Sequence, residues 1–163
     1  MAKSKEEKTN VMRVLEQKKI AYTAHTYPHE EGVAVDGVTV AQSMGFDPAT
    51  VFKTLVARGA SKQYYVFDVP VTENLDLKKA AKAVGEKSIE MLHQKELLPL
   101  TGYVHGGCSP VGMKKLFPTV IDASAENLET MIVSAGKIGY QVELAPRDLA
   151  ALVRAKFADI IVE

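Results

Sequence analysis

Apolar residues recur along this chain at helical spacing in several segments. After residues 4–7 (SKEE), which fit a capping box, Val11, Met12 and Leu15 lie on one helical face. We therefore expect a first helix that ends at about Lys18. Similar spacing, closed by glycine in some cases, predicts further helices over 39–45, 75–85, 93–98, 125–129 and 146–155.

Strands are expected where β-branched and aromatic residues run together between turn residues. VFKTLVARG (51–59) and QYYVFDV (63–69) flank a short polar turn, which predicts an antiparallel pair, and Asp47-Pro48 before them predicts a capped helical turn. Helices and strands mix without strict βαβ alternation, so the pattern favours a mixed α/β fold. In it a curled, barrel-like mixed or antiparallel sheet is flanked by helices. Further strands are expected at 20–27, 118–122, 130–134 and 140–144.

The composition is typical of one globular domain. The chain has 163 residues, of which 47% are hydrophobic and 25% charged, so we expect residues 1–163 to fold around one core. Twenty basic residues balance twenty acidic ones, so any RNA contact must come from local patches. The sequence has no signal-peptide pattern and no apolar run near the roughly 20 residues of a membrane span. We expect a cytoplasmic protein without a membrane partner.

Lys53 interrupts an apolar row. Because side chains alternate along a strand, Lys53 shares a face with Val51 and Leu55. The lysine could reach water from an edge strand, or it could lie at a pocket wall and bind a phosphate, hydroxyl or carbonyl group. The pattern alone leaves both interpretations open.

A glycine-rich segment, GGCSPVG (106–112), follows a short apolar stretch. Adjacent Gly106 and Gly107 predict either a tight turn or backbone N–H groups that point at an anion or carbonyl oxygen. Cys108 has His105 nearby, but a lone cysteine is more often a small buried residue than a nucleophile. Since the sequence has no second cysteine and no HExxH spacing, we expect no metal site and no cofactor.

Lysines flank both glycine-containing loops. SAGKIG (134–139) has the GxxG spacing of loops that clamp nucleic acid in KH domains, although most such loops are hairpin turns. Lys114 and Lys115 follow the first loop and Lys137 lies within the second, so these lysines could contact phosphates.

Five segments stand out together: HTY (25–27), VFKTL (51–55), TGYVHGGCSPVGMKK (101–115), PTVIDAS (118–124) and SAGKIGYQVELAPRDL (134–149). In order and spacing they resemble the YbaK/EbsC family over about residues 11–158. The resemblance implies a mixed β-barrel flanked by helices. It also implies trans-editing: members deacylate Cys-tRNA(Pro) and Cys-tRNA(Cys), relatives clear Ala-tRNA(Pro), and both are related to the insertion domain of bacterial prolyl-tRNA synthetases.

By this resemblance, the catalytic roles belong to Lys53, which would engage the terminal tRNA unit, and to Gly106 at the carbonyl oxygen. The implied partner is the acceptor end of an aminoacyl-tRNA, with prolyl- or cysteinyl-tRNA synthetase as a further partner. Expected tRNA contacts are Lys114, Lys115 and Lys137. The residues expected to bind substrate are Tyr27, Thr54, Gly107, Ser134, Gly136 and Gln141.

The implied reaction needs no catalytic triad. A cysteinyl ester carries its own thiol, which can attack the carbonyl and leave as a thiolactone once the pocket folds the amino acid back. An alanyl ester would require a bound water, so a hydrolytic Ala-tRNA(Pro) deacylase is one alternative.

Three other interpretations remain open. The best-known cysteine-specific members have an aspartate at the position that matches Gln141. This difference leaves open a non-catalytic module that binds aminoacyl-tRNA. The second is a hydrolase that uses the Cys108 thiol, and the third is a surface-regulating protein, against which the missing signal sequence argues.

Overall fold

The computed structural model describes residues 8–30 and 33–163. Its helices are α1 (Asn10–Gln17), α2 (Gly37–Met44), α3 (Leu77–Val84), α4 (Gln94–Thr101) and α5 (Pro146–Val153). Its strands are β1 (Thr23–Thr26), β2 (Phe52–Gly59), β3 (Tyr64–Pro70), β4 (Ile89–Met91), β5 (Thr119–Asp122), β6 (Met131–Ser134), β7 (Tyr140–Leu144) and β8 (Lys156–Ala158). Short 3₁₀ helices lie at Pro48–Thr50 and Ala123–Asn127.

The strands of the described ranges form two sheets. One has the order β4-β2-β3-β5-β8 and is mixed, because β2 pairs antiparallel with β3 and β4 while β5 pairs parallel with β3 and β8. The other has the order β1-β7-β6 and is antiparallel. A bridge between Val51 and Ile132 links the sheets. The mixed α/β class is confirmed, although the described strands do not close into a single barrel.

Aspartate side chains explain where helices α2 and α3 begin, and glycines explain where they end. Asp36 accepts a hydrogen bond from the Thr39 N–H at the start of α2, and Asp76 accepts from two N–H groups at the start of α3. Both helices end at a left-handed glycine, Gly45 or Gly85. The helices predicted over 39–45, 75–85, 93–98 and 146–155 are thus confirmed, with small shifts at their ends.

Two helix predictions need correction. The segment predicted over 125–129 is a 3₁₀ helix at Ala123–Asn127, not an α-helix. The capping box predicted at residues 4–7 lies outside the described residues, and the first helix begins at Asn10. There the Thr9 hydroxyl caps it by accepting from the Met12 N–H.

The predicted antiparallel pair is confirmed, and its register places Thr54 opposite Asp68. The strand predicted over 20–27 is shorter, Thr23–Thr26, and strands β4 and β8 were not predicted. The latter two have three residues each, too few for a period of two to be recognised.

The main core fills the space between the two sheets. It includes Phe52, Val56 and Val66 from the five-stranded sheet and Val133 and Val142 from the three-stranded sheet. A second cluster covers the opposite face of the five-stranded sheet under α3. It includes Phe67, Val69, Ala80, Ala81 and Val120. The site described next opens at the edge where the two sheets meet.

Candidate active site

A cavity of about 540 Å³ opens where the two sheets approach each other. Its walls come from β2, β6 and β7, from the loop before α2 and from the glycine-rich loop that follows α4. The structure thus brings together residues that are far apart in sequence. The predicted site residues that line the cavity are Tyr27, Lys53, Thr54, Gly106, Ser134 and Gln141.

Lys53 lies partly buried in the cavity wall. Burial lowers the pKa of its ammonium group, and the negative charges of Asp36 and Glu73 partly oppose this effect. Within the described residues, no hydrogen bond or ion pair involves the ammonium nitrogen. Lys53 is therefore a cation at a cavity wall, available to an anionic or hydroxyl group of a ligand.

Thr54, the next residue of β2, also lines the cavity. Its hydroxyl donates to Asp68 Oδ1 at 2.6 Å. Asp68 is 0% exposed and is the direct partner of Thr54 on strand β3. It lies on the face of the sheet that packs into the main core. Burial raises the pKa of Asp68 to about 7, against the smaller effect of the Thr54 hydrogen bond.

Ser134 and Gln141 form the opposite wall. They are direct partners in the β6–β7 register, so their side chains lie side by side. Among the described residues, Ser134 Oγ and Gln141 Oε1 are buried without a hydrogen-bond partner. Since burying an unpaired polar atom costs free energy, two such atoms at one cavity wall indicate a place where a polar ligand binds.

The two adjacent glycines have different surroundings. Gly106 has φ of +92° and lines the cavity, where a glycine is required because the backbone is left-handed and close to Ala34. Gly107 lies behind it, against the backbone of Lys137 and Ile138, and its N–H donates to the Val104 carbonyl at 3.0 Å. The Gly107 N–H is thus engaged in a turn and does not point to the cavity.

Cys108 lines the cavity but is only 6% exposed. Burial raises the pKa of its thiol to about 12, with a smaller contribution from the charge of Asp68 and an opposing hydrogen bond with Thr101. A thiol with that pKa is not ionised near neutral pH and is a poor nucleophile. His105 also lines the cavity.

The remaining predicted residues lie away from the cavity lining. Gly136 packs against Tyr103 and Val11. Lys114 is exposed and donates to the Pro99 carbonyl at 3.2 Å. Lys115 is exposed, and the Lys137 ammonium lies 5.4 Å from the centre of the Tyr140 ring.

Asp68 and Asp36 are neighbours of the site that the sequence analysis missed. Asp68 carries a recognisable signal, because it is an acidic residue inside the apolar run YYVFDVP. Asp36 lies in a polar loop and shows no such contrast with its neighbours.

Other features of the described residues do not suggest a competing centre. A second concavity of about 460 Å³ includes Arg154 and Lys156 but contains none of the predicted site residues. Within residues 8–30 and 33–163, no cluster of three or more His, Cys, Asp or Glu side chains is placed to bind a metal ion. None of the described helices has the length and apolar character needed to cross a membrane.

Comparison with known proteins gives a consistent result. The sequence profile of the aminoacyl-tRNA editing domain matches residues 32–152. The chain is 46% identical, over 98% of both lengths, to an Enterococcus faecalis protein named as the Cys-tRNA(Pro)/Cys-tRNA(Cys) deacylase EbsC. It is also 28% identical to a proline–tRNA ligase of Shouchella clausii over 61% of this chain and 17% of the ligase.

The fold agrees with that result. A crystal structure described as a trans-editing enzyme for prolyl-tRNA synthetase superposes with a TM-score of 0.80 at 25% identity. The superposition covers 97% of this chain and 100% of that protein. The matched segment contains most of the cavity wall, including Lys53, Gly106 and Gln141. This chain belongs to the aminoacyl-tRNA editing domain family.

Proposed function

We propose that this protein deacylates mischarged tRNA in trans, with Cys-tRNA(Pro) and Cys-tRNA(Cys) as its substrates. The observation that carries the proposal is the cavity between the sheets, which combines the Lys53 ammonium with the unpaired polar atoms of Ser134 and Gln141. The relative that is 46% identical bears the name of a deacylase of these two substrates.

The size of the cavity suits the end of a tRNA rather than its body. A volume of about 540 Å³ lies within the range of small-molecule sites and can enclose an amino acid with part of its adenosine. The remaining contacts would be made outside the cavity, where Lys114, Lys115 and Lys137 are exposed. These lysines are proposed contacts for the phosphates of the acceptor stem.

The reaction proposed for a cysteinyl ester uses the substrate's own thiol. The substrate sulfur forms a bond to the ester carbonyl carbon, the bond from that carbon to the ribose oxygen breaks, and the proton that the thiol loses is transferred to this ribose oxygen. The products are a thiolactone and an uncharged tRNA. Holding the thiol next to the carbonyl supplies the rate, because an oriented intramolecular attack needs little further activation.

The roles of the protein in this reaction are to bind and to orient. Lys53 would hold the ribose or phosphate of the terminal nucleotide, and the backbone of Gly106 would lie at the carbonyl oxygen. The high pKa of Cys108 supports a substrate nucleophile over an enzyme nucleophile. The aminoacyl group would contact Tyr27, Thr54, Ser134 and Gln141.

The test is deacylation of Cys-tRNA(Pro), Cys-tRNA(Cys), Ala-tRNA(Pro) and Ser-tRNA(Pro) at low enzyme concentration. We expect the cysteinyl substrates to be cleaved fastest, with a thiolactone as the first product. Faster release of alanine as the free acid would assign the hydrolytic alternative. Binding of all four without cleavage would mean a non-catalytic module.

A synthetase partner is a further part of the proposal. We propose that prolyl- or cysteinyl-tRNA synthetase delivers the mischarged tRNA to this protein. The measurement is the deacylation rate at limiting enzyme with and without each synthetase. An unchanged rate in both cases would remove the synthetases from the proposal.

A further inference from the structure

Asp68 is a buried acid that the structure leaves half satisfied. Its side chain is 0% exposed and lies in β3, between β2 and β5. Oδ1 accepts the Thr54 hydroxyl hydrogen at 2.6 Å, whereas Oδ2 has no hydrogen-bond partner within residues 8–30 and 33–163. A buried carboxyl group with an unsatisfied oxygen costs folding free energy, so stability does not account for its presence.

Asp122 shows how a structural buried acid looks in the same sheet. It is 2% exposed, and both of its oxygens are satisfied by backbone donors. Oδ1 accepts from the Ile160 N–H at 3.0 Å and Oδ2 from the Ser124 N–H at 3.1 Å, which fixes the chain around the end of β5. In contrast, the hydrogen-bond partner of Asp68 among the described residues is a side chain in the cavity wall.

The Thr54 hydroxyl has one hydrogen to donate. Because that hydrogen points to Asp68, the oxygen presents lone pairs in its other directions, and Thr54 lines the cavity. A ligand therefore meets a hydrogen-bond acceptor at Thr54. Without Asp68 the hydroxyl could rotate and offer either its hydrogen or its lone pairs.

We propose that Asp68 is a positioning residue that holds the Thr54 hydroxyl as an acceptor for the α-ammonium group of the aminoacylated tRNA end, an inference that rests on the proposed function. An ammonium group is a strong donor without lone pairs, which matches a fixed acceptor. The negative charge of Asp68 behind Thr54 further favours a cationic donor over a neutral hydroxyl. Asp68 acts through Thr54 and does not itself line the cavity.

The ionisation of Asp68 gives the arrangement a dependence on pH. Its pKa of about 7 means that the carboxylate form, which can only accept, predominates above that pH. Below it the carboxyl group can donate its own hydrogen, and the Thr54 hydroxyl is released. Among the described residues, the titratable group coupled to Asp68 is the Cys108 thiol, whose pKa of about 12 keeps it protonated throughout this range.

The experiment measures binding of a stable substrate mimic, 3′-alanylamino-3′-deoxyadenosine, by calorimetry. Its amide replaces the ester, so binding is separated from cleavage. We expect Asp68→Val and Thr54→Val each to weaken binding by about tenfold at about pH 8, as for loss of one hydrogen bond to a charged group. The double variant should be no weaker than either single variant, because both remove the same interaction.

Asp68→Asn is the matched variant, since its amide oxygen can still accept from Thr54. We expect it to bind the mimic within about threefold of the wild type at about pH 8. Between about pH 8 and about pH 6 the α-amino group of the mimic, with an ordinary pKa of about 7.7–8, gains its proton and affects both proteins alike. The affinity of the wild type should therefore fall relative to that of Asp68→Asn, which cannot titrate. If Asp68→Val does not fold, this comparison decides, and parallel pH profiles would overturn the inference.

The remaining outcomes are equally decisive. Wild-type affinity in folded Asp68→Val, additive losses in the double variant, or a wild type that does not bind the mimic would each overturn the inference. So would equal, Asp68-dependent binding of the 3′-lactylamino analogue, which has a hydroxyl in place of the ammonium group. If the wild type binds the mimic as expected but cleaves no aminoacyl-tRNA, the proposed function fails while the role of Asp68 stands.

Discussion

The backbone at Gly106 passes so close to Ala34 that a Cβ atom at position 106 would lie 2.7 Å from the Ala34 Cβ. This close approach places the glycine-rich loop beside the segment that leads into α2, and both line the cavity. The separation is shorter than two carbon atoms tolerate, so a side chain at Gly106 must displace one of the two segments.

Gly106→Ala should therefore reduce deacylation by about hundredfold, because a small displacement at the position proposed for the substrate carbonyl would cost much of the rate. The control is Gly45→Ala, at φ of +76°, where the structure places no described atom within 4 Å of a new Cβ. Both variants incur the backbone strain of about 1 kcal/mol, and only Gly106→Ala adds the clash. The measurements are initial deacylation rates and thermal unfolding of the two variants. Equal activity of Gly106→Ala and Gly45→Ala would contradict the predicted clash.

Lys53→Ala should abolish deacylation, with a loss of at least about hundredfold, while the fold is kept. Burial lowers the pKa of the Lys53 ammonium, which means that its charge is not stabilised by its surroundings and adds little to folding. The control is Lys87→Ala, at an exposed lysine outside the cavity. Near-wild-type turnover of Lys53→Ala with an unchanged circular dichroism spectrum would remove Lys53 from the site.

Cys108→Ala should retain activity within about tenfold, or about 1.4 kcal/mol of barrier. The buried thiol, with a pKa of about 12, is protonated at neutral pH and cannot act as the nucleophile without a base. Rates on Cys-tRNA(Pro) and mass spectrometry of the quenched reaction provide the check. A covalent aminoacyl adduct on Cys108, together with an inactive alanine variant, would instead establish an enzyme thiol as nucleophile.

Binding of tRNA should weaken by roughly 10- to 100-fold between about 50 and 200 mM salt, as expected when about two to four lysine–phosphate contacts form. The chain has no net charge, so local lysines must supply the attraction. Lys115→Ala should reduce both the affinity and the salt slope, because this lysine is exposed. A dissociation constant for tRNA that does not change with salt concentration would exclude phosphate contacts as the main source of affinity.

The free energy of unfolding of Asp68→Asn, measured relative to that of the wild type, should be greater above about pH 7 than at about pH 5. The folded-state pKa of Asp68, about 7, exceeds the ordinary value of 3.8, so folded protein binds a proton that unfolded protein has released between these values. The contribution of Asp68 to stability is thus full below the ordinary value and is lost as pH rises through 7. Denaturant unfolding should reveal a fall on the order of 3 kcal/mol between about pH 5 and about pH 8 in the wild type alone.

The sequence predicted those parts of the fold that have local signals. The helices predicted over 39–45 and 75–85 end at Gly45 and Gly85, and these glycines indicated the ends in the sequence. The caps at Asp36 and Asp76, which set the starts at Gly37 and Leu77, were not recognised. Strands β4 and β8 have three residues and are held by pairing with neighbours, which no local pattern records. The division into two sheets likewise depends on long-range pairing, such as the bridge from Val51 to Ile132.

The site was predictable by residue type but not by environment. Lys53 is recognisable in the sequence because it interrupts an apolar strand. Asp68 interrupts the next apolar strand in the same way, so the same criterion identifies the buried acid. That Gly107 donates its N–H to Val104, whereas Gly106 faces the cavity, depends on the shape of the loop. Two adjacent glycines look alike in a sequence, and only their three-dimensional neighbours distinguish them.

The bridge between Val51 and Ile132 has a thermodynamic consequence for any ligand of the cavity. Lys53 and Thr54 lie on one side of this junction and Ser134 and Gln141 on the other, so a molecule that filled the cavity would contact both sheets. Separating the sheets would then require releasing the ligand, and occupancy adds RT ln(1 + [L]/Kd) to the free energy of unfolding. At about 100 times its dissociation constant a mimic contributes about 2.7 kcal/mol, so the melting temperature becomes a titration of the site.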